Sequence, residues 1–495
     1  MTLSHRQVSF LFIAIALLCI PFADLSIYNT DSWQEIKRFA AALINPEIGD
    51  IKILLKALLY TLSFALMGVF VAMICAIPLS YLYRFAIVKA VCAFLRAIHE
   101  LFWALIFLQI FGLHPLTGIL ALAIPYAATF AKVYAEIIEE ADLSVVKALP
   151  ENSGRINRFF YGLLPDVWQA LKTYTSYRLE CGLRSSVILG FIGLPTLGYY
   201  LQSSFMQGNY AYVVVLLAVF YLMIATIRYW LRPVLMPVYF VLSVYLLLEN
   251  QNVIKWDNLV RFFTQDIIPA PIRGKNNDFA ELAPWFNQLL QEQAIPGVIN
   301  TLLLTQMALV LTAILTLIVY PLISKQFQNK AGRGFGHVVL IVMRSTPEYI
   351  LAFILLQFFG PSMLPAVIAL ALHNAGIIGH LLGNQSNTMP VRADAPKGLN
   401  LYSYEITPRL YGNFLAYLFY RWEIILRETA IIGLLGVATL GFYIDSAMQD
   451  LRFDRAFVLI LITAALNILV DMLSRYLRRK SSTFLHNKSS CNGIA

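Results

Sequence analysis

Long apolar runs, broken by short clusters of charge, glycine and proline, fill most of this chain. The runs are roughly 20 residues long, the length at which a helix crosses a bilayer while keeping its backbone hydrogen bonds internal. Twelve can be marked, near 8–27, 54–80, 90–112, 116–137, 176–201, 211–230, 233–249, 297–323, 337–360, 363–383, 415–444 and 456–475. The pattern predicts an all-α membrane protein with about twelve transmembrane helices, six in each half.

Composition agrees: 59% of the 495 residues are hydrophobic and 13% charged, with a mean hydropathy of +0.69. That excludes a soluble globular protein. The net charge of +9 could suggest nucleic acid, but its location argues otherwise. His5 and Arg6, Arg84 and Lys89, the 138–172 loop, Arg228 and Arg232, Lys325, Lys330 and Arg333, and Arg475, Arg478, Arg479 and Lys480 fall in connections on one side of the expected bundle. Positive-inside bias then places both termini in the cytoplasm, on a multi-pass membrane protein surrounded by lipid, with no nucleic-acid partner. The 250–296 loop carries Lys255, Arg261, Arg273 and Lys275 beside balancing acids, and is expected outside. The first run resembles a signal peptide, but the even helix count favours a retained anchor. Cys19, Cys75, Cys92, Cys181 and Cys491 are scattered without metal-ligand spacing.

Two stretches recur. "YRLECGLRSSVILGFIGLPTLGYYL" from Tyr177 matches "YRWEIILRETAIIGLLGVATLGFYI" from Tyr420 at 12 of 25 positions, 243 residues apart. "RAIHELFWALIFLQIFG" from Arg96 matches "RSTPEYILAFILLQFFG" from Arg344 at 8 of 17 positions, 248 apart. The chain therefore reads as two repeats, 1–232 and 233–480, followed by a cytoplasmic tail, 481–495. Six spans is an even number, so both repeats enter the membrane in the same direction, about a pseudo-twofold axis along its normal.

The candidate chemistry lies in the repeats. Glu180 with Arg184, and Glu423 with Arg427, are four apart and share a helix face, with Arg178 and Arg421 about a turn earlier. Charges within a span are costly, so they are candidates for a substrate path; the alternative is a structural salt bridge. Gly190, Gly193 and Gly198 repeat as Gly433, Gly436 and Gly441, which suits either a movable constriction or close helix packing. Arg96 with Glu100, and Arg344 with Glu348, repeat the four-residue spacing and are expected to be structural ion pairs. The 138–172 loop, with Glu139, Glu140, Ala148, Gly154, Phe159, Phe160, Leu164 and Pro165, reads as two short helices around a turn. It is either a handle for a cytoplasmic partner or a plain surface loop. Its shorter counterpart, 384–412, keeps Ala395, Gly398 and Pro408. "GRGFGH" at 332–337 lacks the spacing and the Lys of a phosphate loop, so ATP, if used, is bound by another chain. His373 stands alone, opposite Pro125 in the repeat, and is expected to be a satisfied buried histidine. No catalytic set and no metal cluster is expected.

These residues resemble the permeases of ABC-type importers, and within them the phosphonate permeases. The resemblance rests on the acidic-Ala-Gly-Leu-Pro loop, on "YR-x-E-x-x-x-R" followed by "G-x-x-G-x-x-x-x-G", and on "R-x-x-P-E" followed by "ALALHNAGIIG". It covers roughly 54–230 and 297–475. It implies a type I importer fold in a bacterial inner membrane and a transport subunit without enzymatic activity or cofactor of its own. Two ATPase subunits would dock on the loops at 138–172 and 384–412, the second of them degenerate. An external binding protein would deliver phosphonate or a related phosphorus oxyanion. The familiar permease is one six-span unit, whereas this chain carries two. A secondary transporter of the major facilitator kind also has twelve spans, but with a long central cytoplasmic connection, where this chain has a tight turn at Arg232 and Pro233. A non-transporting scaffold leaves the repeated intramembrane charges unexplained. An importer permease for another substrate remains compatible with the residues.

Overall fold

A computed structural model describes residues 5–491 except 29–30, 142–149, 151–152, 155–156, 250–253, 274–278 and 393. The described residues form helices and connections without a strand. The helices used below are α1 (His5–Cys19), α2 (Ile51–Leu82), α3 (Ala86–Ala97), α4 (Glu100–Phe111), α5 (Pro115–Glu139), α6 (Leu164–Ile188), α7 (Leu197–Met206), α8 (Tyr210–Ala225) and α9 (Met236–Glu249). They continue with α10 (Ile295–Val319), α11 (Lys330–Ser345), α12 (Glu348–Phe359), α13 (Met363–Thr388), α14 (Thr407–Leu434), α15 (Leu440–Gln449) and α16 (Phe453–Cys491).

Six helices among the described residues are long and apolar enough to cross a membrane, or up to nine if three sharply bent pairs each count as one span. All twelve predicted segments fall on helix. The three not counted are α8 and α9, which are short, and α14, which carries too many charges, Arg409, Arg421, Glu423, Arg427 and Glu428 among them.

The bends have local causes. α3 and α4 meet at 87°, and α11 and α12 at 92°. Thr346 precedes Pro347, and the proline ring disfavours helical backbone in the residue before it; Thr346 is accordingly extended, at φ −68° and ψ 117°. The first half has no proline here. Instead His99 adopts extended backbone, and its ring accepts a hydrogen bond from Leu101 N at 3.1 Å, capping α4. Arg96 and Glu100, and likewise Arg344 and Glu348, therefore stand on opposite sides of a bend, not on one helix face.

Contacts divide the chain into a first-half unit, Arg38–Ile267, and a second-half unit, Met1–Lys37 with Ile268–Ala495. In the first-half unit α2 packs along α5 through fully buried Ala72, Ala128 and Ala131. Small side chains bring the two backbones close enough for dispersion contacts to hold them without a hydrophobic drive from water. In the second-half unit α10 and α13 pack in the same manner through Ala308, Ala369 and Leu370. Relative to a division at 232/233, the compact units exchange one helix each. α1 packs on α10 in the second-half unit, where Gln306 donates to the Phe12 carbonyl at 2.9 Å and the Phe12 ring meets Trp422 edge-on at 5.1 Å. α9 packs on α2 in the first-half unit, with Phe240 against Phe70 at 4.7 Å.

Candidate functional site

In both units the recurrent glycines lie where a helix end crosses the helix that follows it. A methyl group on Gly190 would run into the backbone of Gly198 and Tyr199, and one on Gly433 into the backbone of Gly441 and Phe442. From the other side, Gly198 faces the Val187 carbonyl and Gly441 the Ala430 carbonyl with equally little room. The turn between crossing segments needs left-handed backbone at Gly193 (φ +93°) and Gly436 (φ +91°), which a side chain disfavours. These contacts account for the six glycines by packing and turn geometry. Each crossing is tied down by a buried threonine outside the sequence motifs. Thr61 Oγ1 accepts from Leu197 N at 2.8 Å, and Thr301 Oγ1 accepts from Leu440 N at 3.1 Å.

Arg178, Glu180 and Arg184 share α6. Glu180 and Arg184 pair at 4.0 Å, with the two side chains 33% and 19% exposed. Arg178 sits among aromatic rings: its guanidinium carbon lies 5.4 Å from the Tyr174 ring, 5.8 Å from Tyr126 and 6.0 Å from Tyr177. Its Nε donates to the Tyr174 hydroxyl at 2.8 Å. Beside it, Ser185 donates to Glu100 Oε1 at 2.7 Å and hydrogen-bonds the Tyr126 hydroxyl at 3.1 Å.

Arg421, Glu423 and Arg427 share α14. Arg421 reaches across to α13, where Nε donates to Asn374 Oδ1 at 2.6 Å, and along its own helix to Glu428, with Nη2 and Oε1 3.8 Å apart. Asn374 closes the circuit by donating to Glu428 Oε2 at 3.1 Å and to the Leu370 carbonyl at 2.8 Å. His373, one residue earlier, donates from Nδ1 to the Thr346 carbonyl at 2.8 Å, and its Nε2 lies 3.8 Å from Glu348 Oε2. Glu348, His373 and Glu428 thus bring their ligand atoms within 4.8 Å of one another, although they are widely spaced in the chain. Sequence reasoning missed Glu428, Asn374 and this gathering. The available signal was a mismatch inside the second repeat, where Glu428 occupies the place of Ser185.

The two loops proposed for coupling share a backbone device. A π-helical turn, Arg158–Leu163 or Leu401–Ile406, leads into α6 or α14, whose first turn contains Pro165 or Pro408. Proline is suited to that first turn because its missing N–H has no helical acceptor to lose. Gly154 and Gly398 accept from Arg158 N and Tyr402 N, each at 3.1 Å. Glu140, Gly154 and Pro165 are exposed and Leu164 half-buried. Phe160, Tyr161 and Trp168 present large exposed side chains beside them. Ala148 lies outside the described residues. In the shorter loop Ala395 packs on the second-half core, while Gly398 and Pro408 are exposed. Buried Glu405 holds Arg392 at 2.8 Å and Arg409 at 3.0 Å, and Arg409 also donates to the Pro390 carbonyl at 2.8 Å. Burial raises the Tyr402 phenol, partly offset by its hydrogen bond with Thr407, so the hydroxyl stays protonated and donates to the Leu317 carbonyl at 3.0 Å. The shorter loop is therefore firmly built despite its reduced motif.

Residues 318–483 match the family of binding-protein-dependent transport system inner membrane components, so the second half carries a permease domain of that family. The likeness to ABC importer permeases read from the motifs stands. Along nearly its whole length the chain is similar to the phosphate-import permease protein PhnE of Mycolicibacterium smegmatis, 22% identical over 496 residues, covering 91% of this chain and 90% of the relative. The phosphite transport system permease protein PtxC of Stutzerimonas stutzeri is 28% identical over 152 residues, covering 30% of this chain and 55% of the relative. No solved structure matches the chain. The chain thus carries several helices apolar and long enough to cross a membrane and a domain of the importer-permease family in its second half.

Proposed function

We propose that the chain is the membrane permease subunit of an ATP-driven importer for a phosphorus oxyanion: phosphonate, phosphite or phosphate. The observation that carries this reading is the similarity over 91% of the chain to a permease named for phosphate import. Arginines held in apolar surroundings support the sign of the cargo, since Arg178 and Arg421 each sit on a helix of their unit's core. In this reading the twelve segments are twelve spans in two parallel repeats, both termini are cytoplasmic, and 250–296 lies outside. Two ATPase subunits bind ATP and grip the loops at 138–172 and 384–412, and an external binding protein supplies the oxyanion. Arg178, Arg184, Arg421 and Arg427 then compensate charge in transit, while Glu180 and Glu423 keep the guanidinium groups oriented.

The test uses cells lacking other phosphorus uptake and expressing the chain with its ATPase and binding protein. Labelled phosphate, phosphite and methylphosphonate are supplied in turn. At least one is taken up, and Arg184→Gln with Arg427→Gln abolishes that uptake while the ATPase still co-purifies. Uptake unchanged in the double variant removes these arginines from the path. Uptake of none of the three, with another solute carried instead, removes the substrate assignment.

A further inference from the structure

We infer that Glu348, His373 and Glu428 form a binding site for one divalent transition-metal ion, within the second-half unit only. The site is independent of the transport reading, because it rests on ligand chemistry inside a single unit.

Three helices converge to make it. Glu348 stands in the first turn of α12, His373 at the middle of α13 and Glu428 toward the end of α14, and their ligand atoms lie within 4.8 Å of one another. All three residues are buried, at 8%, 4% and 8% exposure. The imidazole is already turned as a metal would require. Its Nδ1 donates to the Thr346 carbonyl, a group that can only accept, so Nε2 is the ring nitrogen left to bind a metal, 3.8 Å from Glu348 Oε2. A ligating histidine whose other nitrogen is anchored to a backbone carbonyl is the usual outer-shell arrangement of metal sites. Glu428 is oriented in the same way by the Asn374 amide, which is itself fixed to the Leu370 carbonyl. Arg421 flanks Glu428 on its Oε1 side.

The first-half unit supplies the internal control. Glu100 matches Glu348 in the repeat, but Pro125 stands where His373 does and Ser185 where Glu428 does. There the carboxylate is met by the Ser185 hydroxyl at 2.7 Å and by the His99 ring at 3.6 Å, with no second carboxylate at the place of Glu428. Both halves place an imidazole nitrogen near this glutamate, His99 Nε2 3.6 Å from Glu100 and His373 Nε2 3.8 Å from Glu348, so what sets the second half apart is the second carboxylate, Glu428, brought to the same place. One imidazole and two carboxylates suit Zn²⁺, Mn²⁺, Fe²⁺ or Co²⁺ better than the hard cations, which favour all-oxygen shells. Three protein ligands also leave a coordination position open to water or to an oxyanion.

The full chain, purified in detergent with any affinity tag removed and stripped with chelator, is titrated with Co²⁺ alone while visible absorption is followed. Bound metal is then counted after dialysis against Zn²⁺. About one ion per chain is expected, with the Co²⁺ bands of an imidazole and carboxylate shell. His373→Ala and Glu428→Ser lose it; the serine copies the first-half residue, so at least one variant should keep the fold, as checked by helical circular dichroism. Asn374→Ala weakens Co²⁺ binding by about 10–100-fold. A variant of the neighbouring ring pair, His337→Ala with His380→Ala, keeps the ion. No saturable binding, or binding that survives His373→Ala and Glu428→Ser, overturns the site. Loss of binding in the His337 and His380 variant alone would place the metal at that pair and overturns it equally.

Discussion

At matching places in the two units, a glutamate stands in the first turn of the helix after a near right-angle bend, Glu100 in α4 and Glu348 in α12. The backbone frame around them is closely repeated, with the bend, the glycine crossing and a threonine cap in each unit. The polar side chains are not. Glu100 accepts from Ser185, itself bonded to the Tyr126 hydroxyl, and lies 3.6 Å from the His99 imidazole, while the nearby Arg178 sits among aromatic rings. Glu348 meets an imidazole, and the nearby Arg421 is committed to Asn374 and Glu428. A crossing with no room for a Cβ cannot drift without moving the backbone, whereas a polar cluster can be rewired by one substitution at a time. What the backbone geometry demands recurs in both units, while the side chains around the arginine differ: aromatic faces lie over Arg178, and an amide and a carboxylate meet Arg421.

The sharpest way to break this comparison is to remove the arginine from the ionic cluster. Arg421→Gln leaves Glu428 buried without its cationic neighbour, and breaking a buried pair from one side costs about 3–5 kcal/mol. The thermal unfolding midpoint of the purified chain should fall by more than in any other variant named here. Adding Glu428→Ser, which removes the stranded carboxylate, should recover most of the loss. If Arg421→Gln is silent, the ionic cluster is not what holds α13 to α14.

The glycine crossings should respond alike in the two units. Gly433→Ala and Gly190→Ala each force a methyl group into backbone, which cannot rotate away as a side chain could. Overpacking of this kind costs about 3 kcal/mol, the upper end of its usual range. Both variants should lower the midpoint by similar amounts. A drop at only one crossing would show that the shared backbone frame has diverged after all.

The repeat makes much of this frame visible in the sequence, because glycines at fixed spacing and a proline in the first turn of α6 and α14 are local requirements. The partners are a different matter. Arg421 is readable as a buried charge, but the four-residue rule points to Glu423 with Arg427 and gives no hint of Asn374, a residue of another helix. Glu348, His373 and Glu428 meet only because α12, α13 and α14 converge, and no short motif encodes that. The bends hide for another reason: α3 with α4, and α11 with α12, are each continuous in apolar character, so a hydropathy pattern reads one straight span even with Pro347 in view. The exchange of α1 and α9 between compact units is invisible for a related reason, since an apolar helix does not announce which neighbour it will choose.

The threonine caps allow a finer test of equivalence. Thr61→Val and Thr301→Val each leave a buried backbone donor, Leu197 N or Leu440 N, without the hydroxyl it uses. An unsatisfied buried donor of this kind costs about 1–2 kcal/mol, the lower part of the usual range. The midpoints should fall modestly in both, and slightly further for Thr61, whose bond is the shorter. Hydrogen exchange at Leu197 and Leu440 should quicken in the matching variant and stay unchanged at the other site.

The smallest effect is expected where the comparison is most one-sided. Arg178 packs against the faces of Tyr174, Tyr126 and Tyr177 and donates to the Tyr174 hydroxyl, so stacking is a larger share of what holds it than of what holds Arg421. A cation over an aromatic ring contributes about 0.5–2 kcal/mol, more as the site loses water. Arg178→Gln also loses a hydrogen bond, but the glutamine amide can still reach the Tyr174 hydroxyl, so the net change should sit near the lower end. The midpoint should move far less than in Arg421→Gln, although the two arginines occupy the same place in the repeat. Equal losses would mean that both are held by charge pairing, and the contrast between an aromatic and an ionic cluster would fall with them.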